Sequence, residues 1–239
     1  MGRPAKPATR SIANEKDLNV PDEKLNVVGG NFLEKFSSAG SVASSVSDMS
    51  KWLTAMLNQG VYAKVDDKEK RLFSEQQGSA MWQARTLLPV SASATENDKT
   101  HFAAYGLGWF MKDYHGVKLV YHTGGILGMV SKVVLVPEEN LGMVILTNQQ
   151  SGYAFNAISQ QILTTFLSLP DKDWTEHYYS QQQKRKVAES DRLASVSANI
   201  DKNSKPSLAL AGYAQTYIDN WYGEISIELI DGELVMQFG

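Results

Sequence analysis

A chain of 239 residues, 43% apolar and 21% charged, has the length and composition of one large domain, or of one domain with part of a second, and can bury a sizeable core. Its 23 Lys+Arg against 26 Asp+Glu leave a formal charge of -3, so no cationic excess exists to release counterions from a polyphosphate, which argues against nucleic acid as a partner. Zero cysteines exclude disulfides, thiolate metal sites and a cysteine nucleophile. No apolar run approaches the roughly 18 residues of a membrane span, and residues 1–16 are too polar for a signal peptide.

Residues 1–30, with Pro4, Pro7, Pro21, Gly29 and Gly30, read as extended or looped chain. A Ser-rich stretch then leads into Met49, Trp52, Leu53, Met56 and Leu57, whose spacing predicts one face of a helix with Ser47 as N-cap, Asp48 at the positive end of the dipole and Gly60 beyond its end. Residues 64–71 read as a charged solvated segment, 79–85 as a weaker helix closed by Pro89, and 91–100 as a polar loop. From Tyr105 the period shortens to give four strands, 106–113, 117–123, 129–136 and 142–148, with turns at His115-Gly116 and 137–141 that make antiparallel pairs. The last two strands are apolar on both faces and need cover on each side. Phe155, Ile158, Ile162, Leu163 and Phe166 supply a helical face for that purpose, stopped by Pro170. A polar helix over 174–193 and a linker over 199–207 follow. In 224–239 the Asp231-Gly232 turn sets Leu229 opposite Leu234, Ile227 opposite Met236 and Ile225 opposite Phe238. An isolated hairpin cannot bury such a face, so a second domain is expected to be cut off after its first strands, with self-association through the uncovered face. The fold class expected is α+β: an antiparallel sheet covered by helices (1–170), a polar helix and linker (171–207), and a truncated β-hairpin domain (208–239).

The strongest chemical constellation is His122-Thr123-Gly124-Gly125 at the end of one strand, with Gly128 before the next. A glycine pair lets another chain or a substrate lie close to the backbone. Taken alone it also fits a hairpin with a satisfied histidine. A phosphate site is disfavoured, because the spacing is Gly-Gly-x-x-Gly and a β-branched strand follows where a helix N-terminus is needed. His101, His115, His122 and His177 show no metal-ligand spacing, so no metal and no cofactor is expected.

The segment 44–53 (Ser44-Ser45-Val46-Ser47-Asp48-Met49-Ser50-Lys51-Trp52-Leu53), Tyr105-Gly106-Leu107-Gly108-Trp109, His122-Thr123-Gly124-Gly125, Gly128-Met129-Val130-Ser131, Val136-Pro137 and Thr147-Asn148 occur in this order. With them the chain resembles the C-terminal part of the β-lactamase-related serine hydrolases, the group of class C β-lactamases, D-Ala-D-Ala peptidases and related esterases. The resemblance runs over about 26–170, and residues 210–239 resemble the small β-domain often appended to such hydrolases. It implies a partial β-lactamase/DD-peptidase-like fold and acyl transfer to a serine without a cofactor. It also implies a parent protein that is commonly periplasmic or secreted. Members use a Ser-x-x-Lys nucleophile, a Tyr-x-Asn or Ser-x-Asn element and a Lys-Thr-Gly-like triad. His122-Thr123-Gly124 matches the triad in its His-bearing form. By that analogy Thr123 would bind a substrate carboxylate or amide, His122 would stand near the general-base Tyr, and the Gly125 N–H would be an oxyanion donor.

One departure limits this reading. No lysine has a serine three residues before it, and no Tyr-x-Asn occurs. The nucleophile and base would lie in a missing N-terminal half, a partner this chain would need, and the chain alone is expected to be inactive. A different class remains open: a non-catalytic module that uses the same wall to bind a ligand or a partner.

Overall fold

The computed structural model describes residues 8–12, 21–27, 37–40, 42–126, 128–201 and 203–238. They form two compact units, Met1–Ser190 and Asp191–Gly239. The first is built on a six-stranded antiparallel sheet in the order β10-β9-β8-β7-β6-β5. Its strands are β5 (Thr86–Leu88), β6 (Ala103–Tyr105), β7 (Phe110–Tyr114), β8 (Val117–Ile126), β9 (Met129–Val136) and β10 (Leu141–Thr147). The fold is α+β, as the sequence predicts.

Alternation along the strands creates two cores. On one face Tyr114, Leu119, Val134, Val136, Met143 and Ile145 pack with Phe155 and Leu163 of α5 (Gly152–Phe166). On the other, Met111, Val120 and Leu135 pack with Leu53 and Met56 of α2 (Val46–Leu57). These helices are the cover that the doubly apolar strands demand. Trp109, 4% exposed, ties α2 to the sheet by stacking on Trp52 at 5.5 Å, while Trp82 meets it edge-on at 6.4 Å.

Several boundaries differ from the sequence reading, each for a local reason. The α2 cap is Ser45, whose side chain accepts from the Asp48 N–H; Ser47 lies inside the first turn. Residues 64–71 are exposed but paired, as the hairpin of β3 (Val61–Val65) and β4 (Lys68–Arg71), turned by Asp66 and Asp67 at φ 49° and 60°. The second helix, α3 (Glu75–Met81), starts earlier because Ser74 and Gln77 form a capping box. The 91–100 loop contains α4 (Ala92–Asp98), capped by Ser91. The strand expected over 106–113 begins only at Phe110, as β7; Gly106-Leu107-Gly108-Trp109 form a tight loop that joins it to β6, a strand the sequence reading did not predict. Gly106 is required there, since a Cβ would stand 2.4 Å from the Met81 carbonyl oxygen. Within the first 30 residues, β1 (Ala8–Ile12) pairs with β2 (Pro21–Val27); Gly29 and Gly30 lie outside the described residues. Before α2 lies one turn, α1 (Ser37–Gly40), in contact with β8.

The polar helix, α6 (Trp174–Ala198), extends beyond the expected 193. The second unit contains a three-stranded antiparallel sheet of β11 (Thr216–Asp219), β12 (Gly223–Ile230) and β13 (Glu233–Phe238), one strand more than the hairpin expected. The Asp231-Gly232 turn has φ 50° and 86°, and the register pairs Leu229 with Leu234, Ile227 with Met236 and Ile225 with Phe238. No helix among the described residues is long and apolar enough to cross a membrane.

Ser45→Ala should cost about 1 kcal/mol in denaturant unfolding, the usual value of an N-cap, whereas Ser47→Ala should stay within about 0.5 kcal/mol. Equal losses would return the cap to Ser47.

Candidate functional site

β8 is the element that presents the candidate residues. Its first half, Val117 to Tyr121, pairs with β7 on one side, while Val120 to Ile126 pairs with β9 on the other. His122, Thr123, Gly124 and Gly125 therefore continue the strand past the end of β7, bonded among the described residues to a neighbouring strand only through β9. They are not at the end of the strand, as the sequence reading placed them, but inside it. Their cross-strand partners are Val133, Lys132, Ser131 and Val130. Thr123, Gly124 and Gly125 are exposed, and His122 is half-buried.

The two glycines are extended backbone, so turn geometry does not explain them. A Cβ on Gly124 would stand 2.5 Å from the Ser131 Oγ, and the missing side chain is what lets that hydroxyl sit over the strand. Gly125 is different. The nearest atom to its added Cβ, on Val130, is 3.9 Å away, so the space over it is open to a group lying against the backbone. The β8–β9 turn is fastened from outside: Gly128, at φ 80°, donates its N–H to Gln150 Oε1 at 3.3 Å, and Thr147 Oγ1 donates to the Val130 carbonyl at 3.2 Å.

His122 is oriented by aromatic neighbours. Its Nε2 is 3.3 Å from the Tyr105 hydroxyl, and the Phe110 ring, itself stacked on Tyr121, is 5.4 Å from the imidazole. Tyr105 is the functional candidate that motif reading missed. The signal was present, since Tyr105 opens the Tyr-Gly-Leu-Gly-Trp run whose tight loop fixes it: Gly106 N–H donates to the Trp109 carbonyl and Leu107 N–H to the Met81 carbonyl. A phenol against an imidazole gives a pair able to pass a proton between β6 and β8.

Behind Thr123 lies a second unread feature. Lys132 donates through Nζ to Asn156 Oδ1 and to Ser159 Oγ, both at 2.8 Å, and the Phe155 ring centroid is 5.6 Å away. Burial, then repulsion from Lys112, pushes this ammonium down to about 8, with Asp98 opposing. Lys112 and Asp98 are themselves paired at 2.6 Å.

The other histidines do not join the site. His115 closes the β7–β8 turn with its Nε2 at 3.1 Å from the Asn97 carbonyl oxygen, and His177 packs on Trp174. Among the described residues no group of three metal-binding side chains gathers. A Ser-x-Asn tripeptide, Ser197-Ala198-Asn199, escapes the motif reading, but it lies at the end of α6, where the Asn199 side chain donates to the Ser195 carbonyl as a helix-end contact.

The order of motifs and the sheet that carries them coincide with a family-level match. The Beta-lactamase family model matches residues 2–163, and the chain belongs to that family. It is 28% identical over 199 residues to "Unguisins hydrolase ungD'" of Aspergillus campestris, covering 80% of this chain and 34% of that protein. To "Unguisins hydrolase ungD" of Aspergillus violaceofuscus it is 25% identical over 213 residues, covering 84% and 37%. The chain thus spans about a third of the length of the curated relatives it matches. It also resembles the structure titled as an octameric penicillin-binding protein homologue from Pyrococcus abyssi, at 18% identity and a TM-score of 0.45, over 82% of this chain and 34% of that one.

Lys132 makes stability pH-dependent. Between pH 8 and 10.5 the unfolded chain binds this proton and the native chain does not, so the unfolding free energy rises with pH through that window, by about 3 kcal/mol in all. Burial raises Tyr114 and Tyr121 above the ordinary tyrosine value, which works in the opposite sense above about pH 10. The difference between wild type and Lys132→Met, measured by urea unfolding from pH 7 to 10, isolates the lysine. Met should be the more stable at pH 7, and its advantage should shrink as pH rises; a constant difference would contradict the assignment.

Proposed function

We propose that this chain supplies one wall of the acyl-transfer site of a β-lactamase-related serine hydrolase, with the nucleophilic serine and its base carried by polypeptide outside these residues. The observation that carries the reading is the extension of His122 to Gly125 past the end of β7, with an open face at Gly125. An extended acyl chain laid along that edge could pair with the backbone as an added strand. Thr123 Oγ1 would then meet its carboxylate or amide, and the Gly125 N–H would face the carbonyl oxygen. The serine hydroxyl adds to the substrate carbonyl and loses its proton to the base; collapse of the tetrahedral oxyanion expels the protonated amine or alcohol and leaves the acyl-serine. Water repeats the sequence and releases the acid. The Gly125 N–H acts where negative charge develops, the step at which one donor is worth on the order of 10²–10³ in rate. His122, held by Tyr105, lies beside the path of the proton.

Amide or ester hydrolysis is the reaction class, and the curated relatives, named as unguisins hydrolases, support it. The chain alone has no Ser-x-x-Lys with which to form the acyl-serine. Intact mass after incubation with a fluorophosphonate or a β-lactam should show no adduct on this chain. Mixed with a polypeptide that carries the family's Ser-x-x-Lys segment, it should give one adduct, on the added segment. Gly125→Ala should keep the unfolding midpoint while slowing adduct formation by at least about tenfold, since the methyl fits the chain but occupies the substrate's space. An adduct on this chain would defeat the reading. Persistent absence of an adduct in the mixture would favour a non-catalytic binding module.

A further inference from the structure

We propose that Lys132 is a positioning residue for the Thr123–Gly125 segment, coupling helix α5 to the substrate wall through the cross-strand pair Thr123–Lys132. Three observations meet at this residue. Its register places it between Thr123 of β8 and Ile145 of β10, in one row across three strands. Its side chain runs to α5, where Asn156 and Ser159, both neutral, take two of its three protons at 2.8 Å, and Ser159 is fully buried. Asn156 Oδ1 and Ser159 Oγ thus hold the ammonium with no carboxylate between them, unlike Lys112 and Lys51, whose partners are Asp98 and Asp48.

A lysine held only by dipoles loses its grip when it loses its proton. Neutral Nζ keeps two protons and gains a lone pair, so it becomes an acceptor for the Ser159 hydroxyl and the fit to α5 changes. The adjacent residue on β8 is Thr123, and among the described residues the strand at that point has β9 as its one strand neighbour, so a shift of β9 passes directly to the Thr123 and Gly124 amides. The groups able to bias this equilibrium are Lys112 on β7 and Asp98 at the end of α4, with Tyr121 on β8 and His177 and Tyr178 of α6 sharing the field of Asp98. α5 offers only Asn156, Ser159 and the Phe155 ring, and β10 the neutral Ile145. Lys132 is charged at neutral pH and its charge is lost near 8. Its consequence for a bound substrate rests on the acyl-transfer reading; its coupling to β8 does not.

The test is a pH titration of the backbone amides of Thr123, Gly124 and Gly125 in the ¹⁵N-labelled chain from pH 6 to 10. The wild type should show one step centred at about pH 8. Lys132→Met should lack that step while keeping the dispersion of a folded protein. Asn156→Asp, nearly isosteric, puts a carboxylate against the ammonium and should move the step upward by at least one pH unit; it serves as the independent variant if the Met variant does not fold. A lysine that merely fastens α5 would leave the three amides without a step near pH 8 in the wild type, and that result would overturn the proposal. So would a step unchanged in Lys132→Met, which would assign the titration to another group. Successful coupling together with failure of the adduct experiment would leave Lys132 as a support of β8 and discard only the acyl-transfer reading.

Discussion

The pairing of β8 with β9 is the interaction on which the rest of the first unit depends. β7 is half the length of β8 and its pairing ends at Tyr121, so among the described residues 122–126 are held by β9 alone, whereas Val120 and Tyr121 are held by both strands. Every property of the candidate site follows from that asymmetry. The residues beyond Tyr121 keep strand geometry, because β9 imposes it, yet expose an edge and a face that a continued β7 would cover. A backbone edge so placed is ready to pair with another extended chain, and the wall of an acyl-transfer site needs such an edge.

The burden on β9 explains what surrounds it. Its buried residues Val134, Leu135 and Val136 are clamped between α2 and α5, so the register of β9 is set by two hydrophobic faces at once. A slip by one residue would exchange those faces. The β8–β9 turn is fastened by Gln150 and by Thr147, and the start of β7 by the loop that docks on the end of α3. The site is thus supported from three directions by groups that do not touch it. Lys132 is the exception, a polar group placed in the supporting layer itself, at the cross-strand position of Thr123.

Much of this was legible in the sequence, because its signals are periodic. The limits of β9 match the β-branched, doubly apolar run between Gly128 and Pro137, and the register of the C-terminal hairpin follows from Asp231-Gly232, a dipeptide suited to two consecutive positive φ values. The Asp66-Asp67 turn has the same geometry with a weaker signal, and its hairpin carries too few apolar residues to show a face. α4 was hidden because it has no buried residue. Of the site, His122 to Gly125 stood out as a motif, whereas Tyr105 and Lys132 join it only through register and packing, 17 residues away for the one and on the neighbouring strand for the other. Tertiary pairing of that kind leaves no local pattern to read.

The central claim is that β8 beyond Tyr121 has a free edge able to bind an extended chain. Residue-resolved amide hydrogen exchange of β8 tests it most directly. Val120 and Tyr121, paired on both sides, should exchange slowly, while within 122–126 slow and fast amides should alternate, slow toward β9 and fast toward the open edge. Uniform slow exchange across 122–126, equal to that of Val120 and Tyr121, would mean that the edge is already covered, and would contradict the account.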